Sequence, residues 1–121
     1  MLKMKRIYDA EEPSDGYRVL ADRIWPRGMS KRKAKVDLWM KEIAPSDALR
    51  TWFGHDPKRW PEFQSRYHEE LRNQVDLTKQ VRQLEKKYRA ITLVFSARDE
   101  KHNQAVALLA FLRKGGLLAK S

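Results

Sequence analysis

A four-residue segment, SARD at residues 96–99, carries the chemistry that is easiest to name in this chain. It directly follows the wholly apolar run at residues 91–95. In open α/β sheets, ligands bind outside the carboxyl ends of the strands, where a following helix offers unpaired N–H groups to an anion. Arg98 could add a bidentate fork for phosphate or carboxylate, and Asp99 could orient the ligand or move a proton. The structural alternative is that Asp99 caps the helix while Arg98 points into solvent.

A second group of charged residues, DRIWPRG at residues 22–28, lies at the end of another predicted strand. Strand alternation places Asp22 and Arg23 on opposite faces. Charged side chains are rarely fully buried unless paired, so these residues lie at the end of the sheet or form internal salt bridges. We therefore expect Arg23, Arg27 and Arg98 to bind an anionic group. An Asp22–arginine ion pair that fixes the strand end is the structural alternative.

Candidates for proton transfer are two carboxylates and one histidine. Asp22 and Asp99 could each act on a bound ligand, and His102 lies one turn after Asp99. The 3 histidines have no metal-ligand spacing and the chain has no cysteine, so we expect no metal site. No cofactor is expected either, because the sequence has no glycine-rich phosphate loop or dinucleotide fingerprint. The serines lie in no nucleophile elbow, and no base is identifiable for Ser96. These residues do not decide whether the chain is an enzyme.

The basic segment SKRKAK at residues 30–35 offers a different function. The chain has 26 Lys and Arg against 16 Asp and Glu, a net charge of +10, which attracts polyanions and anionic metabolites. A small anionic ligand is the expected partner, and nucleic acid is the alternative, with an affinity that falls as salt rises. A protein without a site of its own, acting through an interface, is the third hypothesis. The residues of the nucleic-acid hypothesis are Lys31, Arg32, Lys33 and Lys35.

Composition restricts the class of protein further. With 121 residues, of which 41% are hydrophobic, the chain is expected to form one domain over residues 1–121. Its apolar runs are too short to cross a membrane, and charges interrupt the N-terminal segment where a signal peptide would be continuous. Because cysteines are absent as well, we expect a cytoplasmic protein. The sequence does not indicate its oligomeric state.

Hydrophobic periodicity predicts the elements that must position these residues. Alternation indicates strands at residues 2–8, 17–25 and 36–43, and the apolar run at residues 91–95 indicates a strand covered on both faces. Ser46 is expected to cap a short helix, and three longer helical patterns follow at residues 57–71, 77–88 and 105–114. Gly115 and Gly116 are expected to end the last helix. The predicted fold is a single compact α/β layered domain, with a mostly parallel sheet of about four strands flanked by helices in the order β-β-β-α-α-α-β-α.

Four motifs distributed over most of the chain form a specific combination. They are SDGYRVL at residues 14–20, DRIWPRG at 22–28, IAPS at 43–46 and SARD at 96–99. Together they resemble the YeaO-like family, small bacterial proteins in the DUF488 group of domains of unknown function. The resemblance implies a compact α/β domain and names no substrate. Within the motifs, these residues are expected to be structural: Asp15, Gly16, Arg18, Trp25, Pro26, Gly28 and Ser46.

Overall fold

Four parallel strands form one sheet, in the spatial order β1-β4-β2-β3. The structure is a computed structural model that describes residues 1–118, and the side chains of residues 1–114. The central strand β4 is buried along its whole length, as the apolar run predicted. This sheet confirms the predicted α/β class. The strands are β1 (Leu2–Arg6), β2 (Tyr17–Leu20), β3 (Leu38–Trp39) and β4 (Ile91–Phe95).

Helices cover both faces of the sheet, and the order of elements is β-β-α-β-α-α-α-β-α. The predicted order was therefore wrong in one place, because the basic segment forms a helical turn between β2 and β3. Ser30 stabilises that turn, its hydroxyl accepting a hydrogen bond from Lys33 N at 3.1 Å. The helices are α1 (Lys31–Ala34), α2 (Asp47–Phe53), α3 (Trp60–Arg72), α4 (Val75–Tyr88) and α5 (Gln104–Leu118).

Several predicted boundaries were also wrong. β2 ends at Leu20, so residues 22–28 form a loop rather than the end of a strand. β3 has only two residues, because the chain turns into a 3₁₀ helix at Lys41–Ile43. α5 continues through the two glycines that were expected to end it. Among residues 1–118, no helix combines the length and the apolar composition that a membrane span requires.

The sheet buries a different apolar layer on each face. On one face Val19, Leu93 and Phe95 pack with side chains of α2, α3, α4 and α5. On the other face Leu20 and Val94 pack with Ala34 of α1, a smaller layer that is closed by partly buried side chains of the loop after β2. Ile91, Leu93 and Phe95 thus pack in one core and Val94 in the other, which explains why four of the five residues of β4 are apolar. The fifth, Thr92, is also buried, and its hydroxyl donates to the Asp15 carbonyl at 2.6 Å.

A buried ion pair fixes the beginning of β2. Arg18 and Asp15 are 2% and 3% exposed, and Arg18 Nη1 donates to Asp15 Oδ2 at 2.6 Å. Arg18 also donates to the carbonyls of Ala34 at 3.0 Å and Lys35 at 3.1 Å, while Lys5 Nζ donates to Asp15 Oδ1 at 2.8 Å. Burial opposes ionisation of Asp15, but hydrogen bonds from Lys5, the Glu12 amide and Arg18 outweigh it and lower the pKa of this carboxyl. The pair ties β1, β2 and α1 together.

The other motif residues also shape the backbone. Trp25 Nε1 donates to the Met29 carbonyl at 2.6 Å, and Met29 N donates to the Pro26 carbonyl at 3.4 Å, which closes the loop after β2. Gly28 lies in this turn with φ +75°. Ser46 caps α2 as predicted, because its hydroxyl accepts from Leu49 N at 3.2 Å.

Candidate functional site

The loops that follow β2 and β4 meet at one edge of the sheet and enclose a cleft of about 680 Å³. β2 and β4 are adjacent and parallel, so their carboxyl ends lie side by side. We call this cavity the strand-end cleft. It is lined by residues 22–27 after β2, residues 96–99 after β4, and these residues of neighbouring elements: Ala44, Pro45, Arg50, Phe53, His55, Phe63, Asn103 and Gln104.

Asp22 is a buried carboxylate on the wall of the strand-end cleft, 6% exposed. Its Oδ2 accepts hydrogen bonds from Ser96 N at 3.0 Å and Ser96 Oγ at 2.6 Å, and its Oδ1 accepts one from Gln104 Nε2. No ion pair joins Asp22 to any residue in the described part of the chain. The expected structural alternative, an Asp22–arginine ion pair, is therefore not what the structure contains; neutral donors hold this carboxylate.

The environment of Asp22 raises its pKa. Burial is the main cause, and the hydrogen bonds from Ser96 and Gln104 oppose it without cancelling it. The folded state therefore holds this proton more tightly than the unfolded chain does. Above the folded pKa, ionisation of Asp22 subtracts from stability. This loss of stability disappears as the pH falls below the pKa of an aspartate in the unfolded chain, about 3.9.

We expect Asp22→Asn to raise the free energy of unfolding at neutral pH, because the amide has similar shape, can satisfy Ser96 and Gln104, and carries no charge to desolvate. The gain should shrink steadily as the pH is lowered towards 4. Urea denaturation of both proteins at a series of pH values measures the difference. A variant less stable than the parent at neutral pH, or a gain independent of pH, would contradict this account of Asp22.

Arg27 and Arg98 line the cleft without any partner. Both side chains are exposed, and neither forms a hydrogen bond or ion pair with any residue from 1 to 118. Arg27 comes from the loop after β2 and Arg98 from the loop after β4. The structure therefore brings these two predicted arginines to one cavity from different strand ends.

Arg23 lines the same cleft, but its guanidinium is hydrogen-bonded to backbone carbonyls of the protein. Its Nε donates to the Pro45 carbonyl and its Nη2 to the Ala44 carbonyl, both at 3.0 Å. Glu42 and Asp47 lie 4.0 and 3.8 Å from the guanidinium. Of the three arginines predicted to bind an anion, this one uses two of its five N–H donors to hold the wall of the cleft.

Asp99 organises its own loop. Its Oδ1 accepts from Lys101 N at 2.9 Å and His102 N at 3.0 Å, and His102 Nδ1 lies 2.9 Å from Oδ2. The hydrogen bond from His102, helped by those amides, lowers the pKa of Asp99. His102 is not part of the cleft wall; its ring meets the edge of Trp60 at 5.4 Å. Two of the three candidates for proton transfer are thus engaged with each other.

Asn103, which was not among the predicted site residues, is the cap of α5. It is 1% exposed, and its Oδ1 accepts from Val106 N at 3.1 Å while its Nδ2 donates to the Asp99 carbonyl at 2.8 Å. The expected cap, Asp99, lies too early in the chain to reach the first turn of the helix. Asparagine is a favoured N-cap residue, so an asparagine directly before a helical pattern could have been recognised as the cap.

Two further residues reach the cleft from the end of α2. Arg50 is exposed and lies 3.4 Å from Asp47, and His55 follows Gly54 in a turn where both have positive φ, +58° and +54°. That left-handed pair turns the chain and places His55 against the cleft. Nothing local in the sequence indicates that this turn faces the loops after β2 and β4, because only the packing of α2 decides it.

Three of the apolar residues that line the cleft are aromatic. Phe53 and Phe63 stack with their centroids 4.2 Å apart, and Trp25 is held by an edge contact with Trp39 at 5.4 Å. Aromatic side chains fixed in this way provide a rigid surface for an apolar or planar group. The cleft thus combines a fixed aromatic surface, one buried carboxylate and two arginines that have no partner among the described residues.

The basic segment lies outside this cleft. Lys31, Arg32 and Lys33 are exposed on α1 and have no ion-pair partner among residues 1–118. Lys35 Nζ lies 3.1 Å from Glu11 Oε1. None of the four lines the strand-end cleft, so the two predicted binding regions are separate.

Fold and site together define a small α/β domain with an all-parallel sheet and a cleft at the carboxyl ends of two adjacent strands. The chain belongs to the family described as the inactive DUF488-N3 subclade, whose model matches residues 1–117. This match confirms the resemblance that its four motifs carry.

Two relatives show how far the similarity extends. The uncharacterised protein YeaO of Escherichia coli is 39% identical over 112 residues, covering 93% of this chain and 96% of its own. The uncharacterised protein Rv3073c of Mycobacterium tuberculosis is 47% identical over 76 residues, which are 63% of this chain. That match spans 64% of the length of the mycobacterial protein. No solved structure matches the chain significantly.

Proposed function

We propose that the protein binds a small phosphate- or carboxylate-bearing ligand, nucleotides included, in the strand-end cleft. The observation that carries the proposal is the pair of exposed arginines, Arg27 and Arg98, which face one cavity and have no partner among the described residues. An arginine that makes no internal hydrogen bond keeps its full fork of donors for an anion. Two such forks on one cleft suit a group with several acceptor oxygens.

The residues around the two arginines also support the binding of an anion. Arg50 and His55 lie on the wall of the cleft and add positive or protonatable groups. Arg23 holds the carbonyls of Ala44 and Pro45 and so keeps that wall in place. The volume of about 680 Å³ lies inside the range of small-molecule sites, about 300–1,000 Å³.

Binding, rather than turnover, is the activity we propose. The family that matches this chain is described as inactive. Of the carboxylates in the cleft, Asp99 is committed to its own loop and to His102, and Asp22 is held by Ser96 and Gln104. That arrangement suits a recognition site.

We expect Arg98→Ala and Arg27→Ala each to weaken binding of a nucleoside monophosphate by about ten- to hundred-fold, since hydrogen bonds to charged groups contribute about 1.5–3 kcal/mol. Stability should change little, because both side chains are exposed and form no hydrogen bond or ion pair with the described residues. Isothermal titration measures the affinity, and thermal unfolding checks the fold.

Arg32→Ala is the matched control. It removes an exposed arginine without an ion-pair partner that lies outside the cleft, so it changes the net charge equally. It should leave the affinity nearly unchanged. If Arg32→Ala weakened binding as much as Arg98→Ala, general electrostatic attraction would explain the data and the strand-end cleft would not be the site.

Nucleic-acid binding through α1 is the second candidate. It is favoured by Lys31, Arg32 and Lys33, three consecutive exposed basic residues with no acidic partner in the described part of the chain. Retention of an oligonucleotide at low salt, with a salt dependence that becomes shallower when these three residues are replaced by alanine, would support it. Retention unaffected by those replacements would remove it.

A further inference from the structure

The hydrogen bonds of Asp22 leave one acceptor position open on the wall of the cleft. A carboxylate has about four lone-pair positions. Ser96 occupies two of them on Oδ2, and Gln104 occupies one on Oδ1. The remaining position on Oδ1 has no donor among residues 1–118. Both oxygens of Asp22 thus have a protein donor, and Oδ1 keeps the capacity for one more, which a donor group of a ligand in the adjoining cleft would use.

The cation nearest in sequence does not fill this position. Arg23 directs its guanidinium to the carbonyls of Ala44 and Pro45, and no described lysine, arginine or histidine forms an ion pair with Asp22. The carboxylate therefore faces the cleft without a neutralising charge. A hydroxyl, amino or ring N–H group on the ligand would complete its hydrogen bonding at little cost in desolvation.

The aromatic side chains of the cleft indicate the chemical character of the rest of the ligand. Phe53, Phe63 and Trp25 line the same cleft as Asp22 and the two arginines. A ligand that satisfies all three features carries an anionic group, a planar or apolar body, and a hydrogen-bond donor. A nucleoside 5′-monophosphate has this combination.

We infer that the strand-end cleft takes a nucleoside 5′-monophosphate, with its phosphate on Arg27 and Arg98, its base against the aromatic wall, and a donor group of the base or sugar on Asp22 Oδ1. The inference rests on the proposed anion site and deepens it, since it states what the ligand must carry besides the anion. Asp22 is then a recognition residue that selects the ligand through a donor.

The test compares probes that lack one feature at a time. Isothermal titration of the whole chain with AMP, GMP, CMP, UMP, ribose 5-phosphate and inorganic phosphate separates the contributions of base, sugar and anion. At least one nucleotide should bind about ten-fold or more tightly than ribose 5-phosphate. This comparison uses the unmodified protein, so it does not depend on whether a variant folds.

Variants then locate the contacts. Asp22→Asn should weaken that nucleotide by about ten-fold or more, because its amide replaces an acceptor by a donor, and should leave inorganic phosphate within about two-fold. Glu69→Gln is the control for the loss of one negative charge, as Glu69 is exposed, pairs with Arg72 and lies outside the cleft. It should change neither affinity.

The outcomes distinguish the nucleotide inference from the proposed anion site on which it rests. If no nucleotide binds more tightly than ribose 5-phosphate, or if Asp22→Asn leaves nucleotide affinity intact, the inference is overturned. The anion site still stands in that case if Arg98→Ala weakens all phosphate-bearing probes. If Arg98→Ala weakens none of them, or if no probe binds at millimolar concentration, both the anion site and the nucleotide assignment are overturned.

Discussion

Asp15→Asn is expected to lower the free energy of unfolding by about 3–5 kcal/mol, the usual cost of leaving one member of a buried ion pair without its partner. Arg18 is 2% exposed, and in the variant its guanidinium would keep two backbone carbonyls but lose its carboxylate. Lys5 would lose its contact with the same carboxylate. For a domain stabilised by about 5–15 kcal/mol, this is a large fraction of the total.

Glu69→Gln serves as the control for this stability measurement. It breaks an i,i+3 ion pair with Arg72 whose side chains are 69% and 58% exposed. Such surface pairs contribute at most about 1 kcal/mol. Equilibrium unfolding in urea compares the two variants with the parent. An Asp15→Asn protein that unfolds at the same urea concentration as the Glu69→Gln protein would show that the buried pair does not hold the start of β2.

Gly16→Ala is expected to lower the free energy of unfolding by about 3 kcal/mol. Gly16 has φ +66° and ψ −136°, a conformation that costs other residues about 1–3 kcal/mol. An added Cβ would also lie closer to the carbonyl oxygen of Ala90 than any real contact allows. That carbonyl accepts the hydrogen bond of Tyr17 N at 3.0 Å, so it cannot move without releasing the first residue of β2.

Gly28→Ala separates the two causes. Gly28 also has positive φ, +75°, but nothing lies within 4 Å of the position its Cβ would occupy. This variant should therefore lose only the free energy that a non-glycine residue costs at positive φ, about 1–2 kcal/mol. Urea unfolding with an unchanged m-value measures both. Equal losses for Gly16→Ala and Gly28→Ala would mean that the contact with Ala90 has no energetic consequence.

The sheet could be predicted from the sequence because its strongest signals are local. The apolar run at residues 91–95 is the central strand, and the amphipathic patterns after Pro57 became α3 and α4. The alternation of residues 17–25 was misleading beyond Leu20, since Asp22 and Trp25 use their hydrogen bonds to shape a loop. Alternation indicates which side chains can be buried but not whether a neighbouring strand exists.

The candidate site could be predicted only in part. Asp22, Arg27 and Arg98 were found because strand ends in α/β sheets are recognisable in sequence, and the cleft contains all three. The orientation of Arg23 depends on carbonyls more than twenty residues away, which no local pattern indicates. His55 and Arg50 join the cleft through the packing of α2. Long-range contacts of this kind appear only in the folded structure.

The position of β4 in the chain has a consequence for how the sheet assembles. β1 pairs with β4 alone, and their paired residues Leu2 and Ile91 are separated by most of the chain. During synthesis, β1 has no strand to pair with until residues 91–95 have been made. Pairings this distant in sequence form slowly, because most of the chain must be ordered to bring them together. The strand-end cleft needs the loop after β4, so it cannot form before residues 96–99 have been made.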